Sequence, residues 1–285
     1  MRLVSYDDGD GTLRGGALAP DGVIDLGAAL GAPGAVSVRE ALALDPAVLR
    51  AAIAGARPAR PLTGTRLGPP VPDPDKIVCL GLNYRDHAAE IGMDVPHTPM
   101  LFAKFRNSLV GPEDPIVLPR GTHDVDYEAE LAIVVGARAK DVAPGDALAH
   151  VAGLTCFNDV SARDLQMATS QWLGGKAIDT FGPCGPAVVT LEELGDPQDL
   201  GIRTRVNGRT VQDSSTAQMV FGVAQALAFV STVMTLEPGD LIATGTPAGV
   251  GFTRSPQVLL AAGDVVEVEI DGLGALRNPV VAPAD

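Results

Sequence analysis

The stretch DYEAELAIVVG (residues 126–136) decides how this chain is read. Its run of apolar and β-branched residues predicts a strand over Tyr127–Val135. Side chains alternate across a strand, so Glu128 and Glu130 share one face, and Tyr127, Ala129, Leu131 and Ile133 share the other. Two carboxylates side by side repel each other, and burying them near apolar residues is costly unless a cation lies between them. Taken alone, the pair also reads as a solvated strand face.

Asp159 lies downstream, where the apolar run Val151–Phe157 closes on Asn158-Asp159 and a helix is expected over Ser161–Met167, with Ser161 as N-cap. Asp159 reads either as part of that cap or as a third carboxylate beside Glu128 and Glu130. Three carboxylates without clustered His or Cys make a hard, oxygen-only cation site, which favours Mg2+ or Mn2+ over zinc. Three carboxylates and a divalent ion still leave one negative charge, so an anionic ligand would need cations close by. Arg163 follows Asp159 by four residues, Gln166 lies on the same helix face as Arg163, and Lys176 sits in the Gly-flanked loop Trp172-Leu173-Gly174-Gly175-Lys176. Each also reads as an exposed surface residue. His87 and Glu90, at i and i+3 of a helical turn, form a pair in which a carboxylate would orient an imidazole and raise its basicity. No GxSxG elbow, HExxH or GxxxxGK[ST] pattern occurs, which argues against serine-nucleophile, zincin and P-loop chemistry.

Further outward, 33 Gly and 23 Pro among 285 residues predict many turns and a strand-rich architecture. Strands are expected at Ile77–Leu80, Leu101–Phe105, Ile116–Leu118, Pro186–Thr190 and Leu241–Ala243. Hairpins are expected around Asn207-Gly208 and between Val265–Ile270 and Leu276–Val281, and a buried helix over Met219–Val233. With few βαβ units, a mixed or antiparallel β core is favoured. Residues 1–70 differ in texture, with a hairpin turn at Asp7–Gly11, one helix over Ser37–Ala54, and a stiff Pro-rich linker at 69–74. A net charge of −14 disfavours nucleic acid and anionic lipid as partners. Cys79, Cys156 and Cys184 read as buried free thiols. With no signal-peptide pattern and no membrane-length apolar run, a soluble cytoplasmic protein is expected.

Together, GLNYRDHAAE (81–90), FAKFRNSLVGPEDPIVLP (102–119), DYEAELAIVVG (126–136), FNDVSARDLQ (157–166), GKAIDTFGPCGP (175–186), VNGRTVQDSST (206–216) and EPGDLIATGTPAGVG (237–251) resemble the fumarylacetoacetate hydrolase family in order and spacing. The resemblance covers about residues 70–285. It implies mixed β-sheets rolled into a β-sandwich-like barrel, a mixed β (α+β) fold. A small N-terminal α/β domain (1–70) would precede a catalytic domain (71–285), and the protein would be a homodimer. It implies that Glu128, Glu130 and Asp159 hold Mg2+ or Mn2+, with Ca2+ as a further possibility. Arg163, Gln166 and Lys176 would contact substrate, and Gly245-Thr246-Pro247 would line the pocket. His87 and Glu90 match the dyad of short members that cleave acylpyruvates or decarboxylate oxaloacetate, on a segment that orders as a lid.

The activity expected first is hydrolysis of a C–C bond in a small 2-oxo acid, a 2,4-dioxo acid of acylpyruvate or fumarylpyruvate type. His87, oriented by Glu90, would draw a proton from water, Lys176 or Gln166 would stabilise the oxyanion, and a pyruvate enolate would leave beside the metal. Decarboxylation of oxaloacetate and isomerisation of 2-hydroxyhepta-2,4-diene-1,7-dioate-like acids use the same enolate and are the alternatives. A calcium-stabilised binding module without catalysis is the reading from another class.

Overall fold

Strands of alternating or wholly apolar character dominate the chain. In the computed structural model, which describes residues 1–283, they assemble into sheets of eleven, five and two strands. The main path of the large sheet runs Gly22–Asp25, Leu13–Ala19, Arg2–Asp7, Gly182–Val189, Val151–Asn158, Ala129–Val135, Leu241–Ala243, Ile77–Gly81, Met100–Lys104, and Leu67–Gly68 and Leu109–Val110 pair off it with Arg2–Asp7 and Gly182–Val189. Its pairings are mostly antiparallel, but Leu241–Ala243 runs parallel to Ile77–Gly81, so the sheet is mixed. The five-stranded sheet is built on the hairpin Gly201–Val206/Arg209–Ser215, whose Asn207 and Gly208 both have positive φ, as the tight turn requires. The fold is α+β, as expected, but the sheets do not close. The path of the large sheet ends on Gly22–Asp25 and Met100–Lys104, which corrects the expected barrel to open, packed sheets.

The strand Ala129–Val135 is buried along its whole length and serves two cores. Leu131, Ile133 and Val135 pack with Ile202, Val268, Ile270 and the helix Val223–Val233. Ala132 and Val134, on the face of Glu130, pack with Leu3, Ile24, Val38 and Leu49 from the N-terminal segment. Glu130 therefore stands at the end of an apolar layer, not on a solvated face, and 1% of it is exposed.

Several local expectations are corrected. The helix over Ser37–Ala54 is two helices, Val38–Leu42 and Pro46–Gly55, because Pro46 cannot continue the first and Asp45 caps the second. The helix expected from Met219 begins at Val223, because Asn83 takes the preceding backbone: its carbonyl accepts from Val220 N, and its side chain bonds Phe221 N and O. The Pro-rich stretch is packed, with Pro69, Pro70 and Val71 buried and Ser5 Oγ donating to Pro70 O at 2.8 Å. The N-terminal strand Arg2–Asp7 pairs directly with Gly182–Val189. The three cysteines are free and buried. Among the described residues, no helix is long and apolar enough to cross a membrane.

Candidate active site

Glu128, Glu130 and Asp159 converge at the inner ends of two neighbouring strands. Ala129–Val135 pairs antiparallel with Val151–Asn158, with Ala129 opposite Asn158, so the residues flanking that pair meet. Regular strand begins at Ala129, two residues later than expected. Before it, Asn158 Oδ1 accepts from Glu128 N at 3.0 Å, and Asp159 N donates to Glu128 O at 2.9 Å. One carboxylate oxygen from each of the three acids lies within 4.8 Å of the others.

Ser161 does not cap the following helix. It lies in the short strand Ser161–Ala162, its Oγ donates to Asp159 O at 2.8 Å, and the helix Arg163–Met167 starts without a side-chain cap. That bond fixes the backbone at Asp159. The Gly-flanked loop at 172–176 is a short helix, Leu173–Lys176. Gly175 is needed there: a Cβ would meet Ala162 O and Gln166 N at 2.5 Å. This close approach seats Lys176 beside the carboxylates.

Cations surround the acids. Lys176 Nζ donates to Glu128 Oε2 at 2.8 Å and to Asp159 Oδ2 at 2.6 Å. Arg163 Nη1 lies 2.6 Å from Glu128 Oε1, and its Nε and Nη2 bond Asp126 Oδ2 at 3.0 and 2.8 Å. Lys104, wholly buried, sits 2.6 Å from Asp159 Oδ1 and also donates to Val160 O and Lys176 O. Four carboxylates (Asp126, Glu128, Glu130, Asp159) thus face three cations (Lys104, Arg163, Lys176), leaving one negative charge when all four are ionised. Burial opposes charge on Glu128, but Lys176 and Arg163 outweigh it and hold its carboxyl well below the usual range. Burial also opposes charge on Lys176, and Asp159 and Glu128 reverse that and raise it. Lys104 falls the other way: burial wins over Asp159 and lowers it.

Glu130 is the unbalanced member. Burial, then Asp159 and Glu128, push its carboxyl well above the ordinary range, opposed by the Gly245 N–H at 2.8 Å and by more distant Lys176. Among the described residues no ion pair reaches it, and Asp159 Oδ1 has no aligned hydrogen-bond donor despite its nearness to Lys104. An excess negative charge with all four carboxylates ionised, an all-oxygen donor set and the buried Glu130 carboxyl, which no ion pair reaches among the described residues, fit a hard divalent cation. The metal-free protein should therefore lose stability as pH rises and Glu130 is forced to ionise, and added Mg2+ should restore it. Thermal unfolding in EDTA and in Mg2+ checks this. The gap between the two midpoints should widen with pH, and a gap that is absent or narrows would remove the metal assignment.

Above these groups lies a cavity of about 340 Å³. Its lining includes His87, Glu128, Glu130, Arg163, Gln166, Lys176 and Thr246, while Asp159 lies behind the wall and Glu90 beside His87. Gln166 Oε1 accepts from Arg163 Nη1 at 3.0 Å, and Thr246 Oγ1 accepts from Gln212 Nε2 at 2.8 Å. His87 Nδ1 lies 2.8 Å from Glu90 Oε2, while Glu90 Oε1 accepts from Gly249 N and Thr253 Oγ1, each at 2.9 Å. Burial alone would raise Glu90, but these three hydrogen bonds outweigh it and hold its carboxyl below the usual range. A carboxylate at that distance places the hydrogen of neutral His87 on Nδ1 and leaves Nε2 as a base.

Lys104, Asp126 and Gln212 were not found by sequence reasoning. A lone Lys at the end of an apolar strand and an Asp directly before the acidic strand were the available signals. Gln212 carried none, since only its contact to Thr204 lies within its own hairpin, while those to Thr246 and Ala129 N are made across the fold.

Mixed open sheets carrying a buried acidic cluster, with Arg163 and Lys176 beside it at the base of a cavity, define the site of an α+β protein. Residues 76–281 match the fumarylacetoacetate (FAA) hydrolase C-terminal family model. The chain is 53% identical over 214 residues to the oxaloacetate tautomerase fahd2, mitochondrial, of Xenopus laevis, covering 74% of this chain and 67% of that protein. Among solved structures it is similar to the fumarylacetoacetate hydrolase of Exiguobacterium antarcticum (39% identity, TM-score 0.86, 99% of this chain and 100% of that one). It is also similar to the 2-hydroxyhepta-2,4-diene-1,7-dioate isomerase of Mycobacterium marinum (35% identity, TM-score 0.76, all of both chains). The chain belongs to the fumarylacetoacetate hydrolase family.

Proposed function

We propose that the protein is an isomerase that moves a proton at C3 of a small 2-oxo acid, with keto–enol tautomerisation of oxaloacetate as its first reaction. The observation that carries this is the His87–Glu90 pair beside a cavity whose base presents Arg163 and Lys176 among the carboxylates. Arg163 and Lys176 attract the substrate carboxylate and the oxygen at C2, and Gln166 and Thr246 orient them. Toward the enol, His87 Nε2, its ring held by Glu90, takes a proton from C3 while the oxygen at C2 takes one up from solvent; toward the keto form the imidazolium returns its proton to C3 as the enol hydroxyl releases its own to solvent, and no water is consumed. Glu128, Glu130 and Asp159 are the residues that would hold Mg2+ or Mn2+, and such an ion supplies Lewis-acid polarisation of a bound oxygen.

Hydrolysis of a 2,4-dioxo acid, the activity expected first from the sequence, is the second reading. The same dyad supports it, since a base that takes a proton from carbon can take one from water. The tautomerase and isomerase relatives favour proton transfer without bond cleavage. Loss of CO2 from oxaloacetate needs no base at C3, so any such activity should survive in His87→Gln, with CO2 release as the measurement.

With Mg2+ present, enol-oxaloacetate should convert to the keto form, and the C3 protons should exchange with D2O in NMR spectra. His87→Gln should slow both by about 10²–10⁴-fold. Acetylpyruvate cleaved faster than oxaloacetate enolises would favour hydrolysis, and unchanged exchange in His87→Gln would end the role assigned to that side chain. The family resemblance also supports a homodimer, which light scattering tests.

A further inference from the structure

The cavity is two-sided. Its base is charged, but its outer wall is built from Ile91, Met93, Met100, Met167, Trp172 and Phe252. Ile91, Met93, Met100 and Met167 are each more than a third exposed, with Met167 at 62%. Large apolar side chains gathered around one opening, continuous with a polar base, are the usual lining for the apolar part of a ligand.

The wall is held in place. Trp172 packs edge-to-face on Phe102, with ring centroids 5.4 Å apart, and lies against Gly81, where a Cβ would come within 2.7 Å of the indole. Lys176 Nζ sits 5.0 Å from the Phe102 ring centre, so the same aromatic ring joins the charged base to the apolar wall. Among the lining residues, Arg163 and Lys176 are the permanent cations, and both already face carboxylates.

The charge count gives the same answer. With all four buried carboxylates ionised, a divalent cation turns the one excess negative charge into one positive charge, which balances a single substrate carboxylate. A second carboxylate would meet Met, Trp and Phe side chains with the Glu90 carboxylate nearby, in a protein of net charge −14.

We infer that the preferred substrate is a 2-oxo acid with one carboxylate and an uncharged, apolar group at its far end, aliphatic or aromatic. This rests on the 2-oxo acid reading above for the head group and goes beyond it for the tail. Oxaloacetate, a diacid, is then among the more weakly held substrates of the site.

Trp172 is the sole tryptophan of the chain and stands in this wall, so its fluorescence reports occupancy directly. The Mg2+-loaded protein is titrated with 4-methyl-2-oxopentanoate and with 2-oxopentanedioate, which share a head group and are similar in length but differ in the tail. The uncharged acid should bind about tenfold tighter. Met167→Lys, at an exposed position, should shift the preference toward the diacid. Equal binding, tighter binding of the diacid to the unaltered protein, or binding of neither overturns the inference. Should Met167→Lys fail to fold, the comparison on the unaltered protein decides alone. Tight binding of the apolar acid without exchange of its C3 protons would remove the tautomerase reading and leave this one standing. Tautomerisation of oxaloacetate with no preference for the apolar acid would do the reverse.

Discussion

Asp159→Asn is expected to destabilise the fold by about 3–5 kcal/mol, because it strips the shared counter-ion from two buried ammonium groups at once. Lys104 and Lys176 are 0% and 2% exposed in their side chains and approach Asp159 at 2.6 Å each. An Asn carboxamide is nearly the same size, so packing is preserved and the loss is electrostatic. Chemical denaturation measures it, and a double-mutant cycle with Lys104→Met separates the pair from its surroundings. Lys104→Met alone leaves Asp159 with Lys176 and should cost less. The double variant should be more stable than the sum of the single losses implies, since removing both partners of a buried pair is cheaper than removing one. Strict additivity would show that Lys104 and Asp159 do not act as a pair. Asp159→Asn should also lose Mn2+ binding in a titration followed by electron paramagnetic resonance.

Lys176→Met should have a large effect on turnover, lowering kcat/KM by about 10²–10³-fold with a modest effect on stability. Structure survives because each partner of Lys176 keeps another cation: Glu128 retains Arg163 at 2.6 Å and Asp159 retains Lys104 at 2.6 Å. The site, however, loses one positive charge. Mn2+ should then bind as tightly as before or tighter, while the substrate anion binds less well. These opposite signs separate a substrate-facing lysine from a structural one. A parallel fall in metal affinity, stability and turnover would assign Lys176 to the scaffold.

The site was legible in the sequence to the extent that its groups lie within short runs. Glu128 and Glu130 are two residues apart on a strand, Arg163 and Gln166 three apart on a helix, and His87 and Glu90 three apart on another. Local periodicity places each pair. The ordered motifs then tied the pairs to one family, and the residues they marked meet at one cavity. Misjudged local structure had one local and one tertiary cause. Ser161 reads as a helix cap until its hydroxyl is seen to be taken by Asp159 O, and Met219 reads as helical until Asn83 claims the backbone of Val220 and Phe221.

By itself, then, the sequence determined the strand-rich architecture, the family, and which acidic, cationic and imidazole side chains are candidates for chemistry. Only the tertiary structure decided how those charges balance. Lys104 and Asp126 enter through pairing across the fold, and they turn a surplus of carboxylates into a site one charge short of neutral. The apolar outer wall was decided there too, because Met93 and Met100 come from one part of the chain, Met167 and Trp172 from a second and Phe252 from a third. Net charge and wall composition at a cavity are sums over residues distant in sequence, and folding is the step that performs the sum.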